Sequence, residues 1–142
     1  MSFKILIMGL PGSGKTYLAK ELKKQLELLG KSVSWFNADE IREKYNDWDF
    51  STEGRIRQSL RMSKLADEQL SDFVMCDFVA PLEVMRDNYK ADITIWVDTI
   101  SQGRFEDTNK LFTEPKLYDF RVTEKDCKKW ARLILNSINN KS

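Results

Sequence analysis

The chain has 142 residues, 42% of them hydrophobic, which is one domain's worth and enough to bury a core without disulfide support. Lysine and arginine number 23 against 22 aspartates and glutamates, so there is no excess of positive charge of the kind that marks a nucleic-acid or membrane partner, and a small ligand is expected. With no histidine and only Cys76 and Cys127, far apart, a disulfide framework, a zinc-ligand spacing and imidazole catalysis are all excluded.

Residues 3 to 8, FKILIM, read as a short buried strand bounded by a glycine loop. The period then changes: Leu18, Leu22, Leu26 and Leu29 recur at helical spacing over residues 15 to 29, and Gly30 supplies the stop. SVSWF (32 to 36) is a second strand, followed by NADE and a short helix to about Tyr45. Ser51 is placed to cap a helix reaching about Leu70. FVMCDFV (73 to 79) and DITIWV (92 to 97) are apolar strands, with Pro81 suited to the first turn of the helix between them. YDFRV (118 to 122) is a shorter strand. Thr123 with Asp126 resembles a capping box for a last helix that carries Cys127, Trp130, Ile134 and Ile138 inward. Strands alternating with helices predict an α/β fold with a parallel sheet of about five strands, helices on both faces and ligands at the carboxyl ends of the strands, in a single domain over residues 1–142; the loop GLPGSGKT (9 to 16) between the first strand and the first helix makes it one of the P-loop NTPase kind. FKILIM is interrupted by Lys4, and no stretch approaches the ~20 apolar residues of a membrane span, so a cytoplasmic location is expected.

The octet GLPGSGKT (9 to 16) matches G-x-x-x-x-G-K-[ST] and falls between a strand and a helix, as its mechanism requires. Glycines let the backbone curl until several N–H groups point at one anion, and the following helix adds its positive end. Lys15 reaches the terminal phosphates and the Thr16 hydroxyl can ligate magnesium. ATP with Mg2+ is the expected occupant, held by Gly9, Pro11, Gly12, Ser13, Gly14, Lys15, Thr16 and Tyr17.

Phosphoryl transfer needs a carboxylate near the acceptor hydroxyl and cations for the developing charge. Asp39 lies just past the second strand and Arg42 three residues on; Phe50 offers a ring to stack a base and Arg55 a cation to grip an anion. The bland alternatives are a helix N-cap for Asp39, core packing for Phe50 and solvated helix faces for the arginines. Asp77, closing an apolar strand, has the form of a magnesium-positioning carboxylate, and Asp98 has the same form on a strand further from the loop. Trp35, Trp48, Trp96 and Trp130 read as core or surface packing, and Cys76 as an inert small hydrophobe.

At these residues the chain resembles the adenylylsulfate kinases. GLPGSGKT is close to the family's phosphate loop, and NADEIR (37 to 42) echoes its Asp-Gly-Asp-Asn-Ile-Arg at Asp39, Ile41 and Arg42. FSTEGRIRQ (50 to 58) keeps Phe50, Ser51, Arg55 and Gln58; FVAP (78 to 81) and WVDT (96 to 99) resemble the strand ends that follow. The resemblance implies transfer of the ATP γ-phosphoryl group to the 3′-hydroxyl of adenosine 5′-phosphosulfate. In that reading Lys15 and Asp39 are catalytic, Asp39 activating the hydroxyl while Phe50 stacks the adenine. Arg42 and Arg55 then hold the phosphosulfate, with Gln58, Val79 and Ala80 alongside, and Lys110 and Phe112 standing in for the lid's lysine and tyrosine.

The departures are Asn37 for the family's first aspartate, Glu40 for its asparagine, Glu83 for an arginine, and a lid cut to NKLFTEP (109 to 115). The competing readings are a P-loop kinase for another small acceptor (sugar, nucleoside or polynucleotide end) and a nucleotide-binding regulator without catalysis. The expected partner is a small-molecule nucleotide, with no nucleic acid and no membrane and a homodimer left open.

Overall fold

The computed structural model describes residues 2–103 and 105–141, the side chains of residues 140 and 141 apart. Five strands, β1 (Phe3–Met8), β2 (Val33–Asn37), β3 (Phe73–Asp77), β4 (Ile93–Val97) and β5 (Phe120–Val122), form one parallel sheet in the order β2-β3-β1-β4-β5. Among the described residues, six helices connect and cover it: α1 (Lys15–Leu28), α2 (Ala38–Tyr45), α3 (Thr52–Asp67), α4 (Glu83–Tyr89), α5 (Glu106–Leu111) and α6 (Cys127–Lys141).

The two faces follow from the alternation of side chains along β1. Ile5 and Ile7 enter one cluster with Leu18, Leu22 and Leu26 of α1 and Ile134 and Ile138 of α6. Leu6 and Met8 enter the other with Ile41, Met62, Met85 and Tyr89 from α2, α3 and α4. Both sides of the central strand are therefore sealed, which is why β1 and β3 read as continuous apolar runs. All strands end at the same edge of the sheet. There Asp77 lies in register with both Ile7 of β1 and Asn37 of β2. The chain leaves β1 at Gly9 (φ +152°), where a Cβ would lie 2.4 Å from the Val97 carbonyl oxygen, so only glycine lets the loop turn so close to β4.

Three sequence-based expectations are corrected. Pro81 stays outside α4: its carbonyl accepts from the Thr113 N–H at 2.8 Å, which holds it in the bend before Leu82 starts the helix. The cap of α6 is Asp126, whose Oδ1 accepts from the Lys129 N–H at 3.2 Å, rather than Thr123. And α5 forms where no helix was expected. Its Asn109 side chain exchanges two hydrogen bonds with Gly103, at 2.7 and 3.1 Å, which tie the helix to that residue.

Candidate active site

A cleft of about 1010 Å³ opens along the carboxyl ends of the strands and takes in the glycine loop from Pro11 to Thr16. Lys15 donates to the carbonyls of Gly9 and Leu10 at 2.9 and 3.0 Å, tying the start of the loop to its end. Thr99, just past β4, fixes the other side by donating to the Ser13 carbonyl at 2.6 Å. On that side the cleft continues to Val122, Lys125 and Cys127, at the junction of β5 and α6.

On the opposite side, over β3 and β2, one amide organises the site. Asn37 Oδ1 accepts from the N–H groups of Asp39 and Glu40 at 3.1 and 3.3 Å, capping α2. Its Nδ2 donates to Thr16 Oγ1 at 3.3 Å and to Asp77 Oδ1 at 2.9 Å. Asn37, not Asp39, is thus the cap. The exposed Asp39 carboxylate faces the cleft with no hydrogen-bond partner among the described residues.

Asp77 is buried, and its Oδ2 accepts from the Trp35 indole N–H at 2.5 Å. Burial pushes its carboxyl up to about 6, against the downward pull of Trp35, Lys15 and Asn37. A carboxyl raised from 3.8 to about 6 costs about 3 kcal/mol of stability when ionised, at about 1.4 kcal/mol for each factor of ten. Because the folded form holds its proton longer than the unfolded chain, this cost appears as pH rises from about 4 to about 6. In metal-free buffer, chemical unfolding should show wild type losing about 3 kcal/mol relative to Asp77→Asn between about pH 4 and about pH 7. A difference that does not vary with pH would contradict the raised carboxyl.

The hydroxyl of Thr16 and the carboxylate of Asp77, meeting the same amide, are hard oxygen donors, the set that magnesium takes together with phosphate oxygens. The residues present fit the ion. Asp98 does not enter this set: it is paired with Arg121 at 2.7 Å.

The acceptor-side residues divide. Asp39, Phe50, Arg55 and Val79 line the cleft together with Trp48, which the sequence had assigned to packing. Arg42 does not line it. It is buried, its guanidinium donating to the carbonyls of Asp47 and Asp49 at 3.0 and 3.1 Å and lying 4.4 Å from the centre of the Phe50 ring. Gln58 is also interior, donating to the Ala38 carbonyl at 3.1 Å. Ala80 is buried with φ 47°, its carbonyl held by Arg86 at 2.9 Å. Lys110 pairs with Glu106 on the exposed face of α5, and Phe112 lies under the Arg86 guanidinium, 5.4 Å from ring centre. Neither reaches the cleft lining. In α5 it is instead Asp107 and Thr108 that line the cleft, Thr108 accepting from Arg55 Nη2 at 2.9 Å. No spacing rule marks Thr108 or Thr99, since each acts through a contact distant in sequence.

Gly54, in the first turn of α3, has a packing reason. A Cβ there would lie 2.3 Å from the Asp49 carbonyl oxygen. Alanine in an exposed helix is worth up to about 1 kcal/mol over glycine, but here the clash with backbone outweighs it. Gly54→Ala should lower stability by about 1–3 kcal/mol in chemical unfolding, and an unchanged or raised midpoint would contradict this packing.

The sheet order and the loop between β1 and α1, with Lys15, Thr16 and Asp77 at its mouth, define a phosphate-loop nucleotide-binding fold. Solved structures share that fold. The solved structure of the Mycobacterium tuberculosis APS kinase CysC in complex with AMPPNP and APS superposes with a TM-score of 0.83 at 21% identity, covering 97% of this chain and 98% of that one. Shikimate kinase from Acinetobacter baumannii, in complex with shikimate, follows at 0.65 and 17%, covering 100% and 96%. The adenylylsulphate kinase family model matches residues 1–108, and the chain belongs to that family. A curated relative, the cytidine diphosphoramidate kinase of Campylobacter jejuni, is 32% identical over 85 residues, 60% of this chain. The chain matches about half of that relative's length, 49%. Among the described residues no helix is long and apolar enough to cross a membrane, and no group of three or more Cys, Asp and Glu could hold a metal by itself.

Proposed function

We propose that the protein transfers the γ-phosphoryl group of ATP to the 3′-hydroxyl of adenosine 5′-phosphosulfate, giving 3′-phosphoadenosine 5′-phosphosulfate and ADP. One observation carries the reading: the exposed Asp39 carboxylate shares a single cleft with the phosphate loop and with the aromatic side chains of Trp48 and Phe50. The loop amides and the Lys15 ammonium take the phosphates; a magnesium ion, held by Thr16 and Asp77, would neutralise charge on them. Asp39 accepts the proton of the acceptor hydroxyl as its oxygen bonds to phosphorus and the bond from phosphorus to the departing ADP oxygen breaks. Arg55 is the cation facing the acceptor's anionic end, while Arg42 acts from within by holding the loop that carries Trp48 and Phe50.

A second acceptor is favoured by the Campylobacter relative: cytidine diphosphoramidate, which, like adenosine 5′-phosphosulfate, joins a base to an anionic 5′ group. Coupled ADP release with these two nucleotides, free nucleosides and neutral sugars decides between them. The proposal expects the highest kcat/KM with adenosine 5′-phosphosulfate. Faster turnover of the cytidine nucleotide would select the second reading, and ATP binding without transfer to any of them would overturn both.

A further inference from the structure

The cleft carries an exposed aromatic on a well-tied segment. Trp48 is 50% exposed and lines the cleft in the segment between α2 and α3. A half-exposed indole in a connecting segment is ordinarily mobile, yet both of its neighbours are tied down twice. The carbonyls of Asp47 and Asp49 both accept from the buried Arg42. Their carboxylates are held by Arg57 at 2.8 and 3.1 Å, and Asp47 takes Arg61 as well, at 2.9 Å. These charge-assisted bonds keep the Asp47 carboxyl well below the usual carboxylate range. The Asp49 carboxylate also accepts from the Ser51 N–H at 2.9 Å.

These bonds satisfy the buried Arg42 and seat Asp49 against Gly54, and they also hold the backbone that carries the exposed indole, which reduces the ordering cost of a ligand that packs on it. Phe50, the neighbouring ring at 6.4 Å, already has the guanidinium groups of Arg42 and Arg55 at 4.4 and 5.4 Å from its centre. Trp48 carries the larger ring surface and, among the described residues, no such cation.

We propose that Trp48 is a specificity-determining residue of the acceptor site: its indole is the surface on which the acceptor's heterocyclic base packs, pre-positioned by Arg42, Arg57 and Arg61 through Asp47 and Asp49. The inference rests on the acceptor being a nucleotide, as proposed above, and names the part of this chain that reads its base.

The test is calorimetric titration of wild type, Trp48→Leu and Trp48→Phe, each saturated with AMPPNP and magnesium so that the ATP site is filled. The probes are adenosine 5′-phosphosulfate, CDP and, as a baseless control, ribose 5-phosphate. Loss of one base stack is expected to weaken the best-bound nucleotide about 10- to 100-fold in Trp48→Leu, with most of the affinity retained in Trp48→Phe and ribose 5-phosphate affected less than threefold, about the scatter of such measurements. Arg57→Ala, which leaves the indole in place but loosens its support, should show an intermediate loss. If wild type binds neither nucleotide more tightly than ribose 5-phosphate, the nucleotide-acceptor reading fails. If wild type binds one of them and Trp48→Leu binds it equally well, that reading stands and the role of Trp48 is overturned.

Discussion

Lys15→Ala is expected to lower kcat by about 10²- to 10³-fold and to raise KM for ATP, the cost of removing one well-placed donor from a transition state that gathers negative charge. The ammonium sits where the loop closes, donating to Gly9 and Leu10, and close enough to Asp77 to pull its carboxyl down. Two effects would be removed together: the charge proposed to meet the transferring phosphoryl group and the bonds to Gly9 and Leu10 that tie the loop. Lys15→Arg would restore charge but not shape, because a planar fork cannot replace a compact ammonium within so tight a turn. Steady-state kinetics on both variants check this. An alanine variant within threefold of wild type would remove Lys15 from the transition state, about the limit of kinetic scatter.

Asp39→Asn should lower kcat by about 10²- to 10⁴-fold with little change in KM for ATP, the range for loss of a general base. The substitution is unusually clean. Asp39 uses only its backbone N–H in the start of α2, and the capping acceptor is Asn37, so the change removes a charge without removing a cap. Thermal stability should stay within about 0.5 kcal/mol of wild type, as for a surface substitution. Undiminished kcat in a folded variant would refute the base assignment. A large loss of stability would mean that the residue holds the helix after all.

The parts of this molecule legible in the sequence are those set by local rules. The apolar run FKILIM marked β1 as a buried strand, covered on both faces, and the glycine loop was legible between it and a leucine-striped helix. Ser51 caps α3 as its position suggests, accepting from the Gly54 N–H at 3.1 Å. What was hidden depends on contacts between distant residues. Asn37 looked like a lost carboxylate, and only its register with Asp77 shows that an amide there can accept from α2 and donate to Thr16 and Asp77 at once. Arg42 shares a helix with Asp39 but turns inward, because the carbonyls of the 47–49 segment fold back over it. Residues 106–111 carry no apolar stripe to announce a helix; α5 is held by Asn109 against Gly103 and by Arg55 against Thr108. That arrangement turns Thr108 into the cleft and leaves Lys110 in solvent, reversing the expectation from the lid resemblance.

The central claim is that the loop at residues 9 to 16 presents a terminal phosphoryl group to a hydroxyl facing Asp39. It is tested most directly by following the label from ATP carrying a labelled γ-phosphate, incubated with magnesium, the protein and adenosine 5′-phosphosulfate, and locating it by phosphorus spectroscopy of the separated products. The label is expected in a 3′-phosphate monoester of the adenosine nucleotide, formed in step with ADP and abolished in Asp39→Asn. Label found only in inorganic phosphate or left in ATP, at a rate that Asp39→Asn does not change, would contradict it.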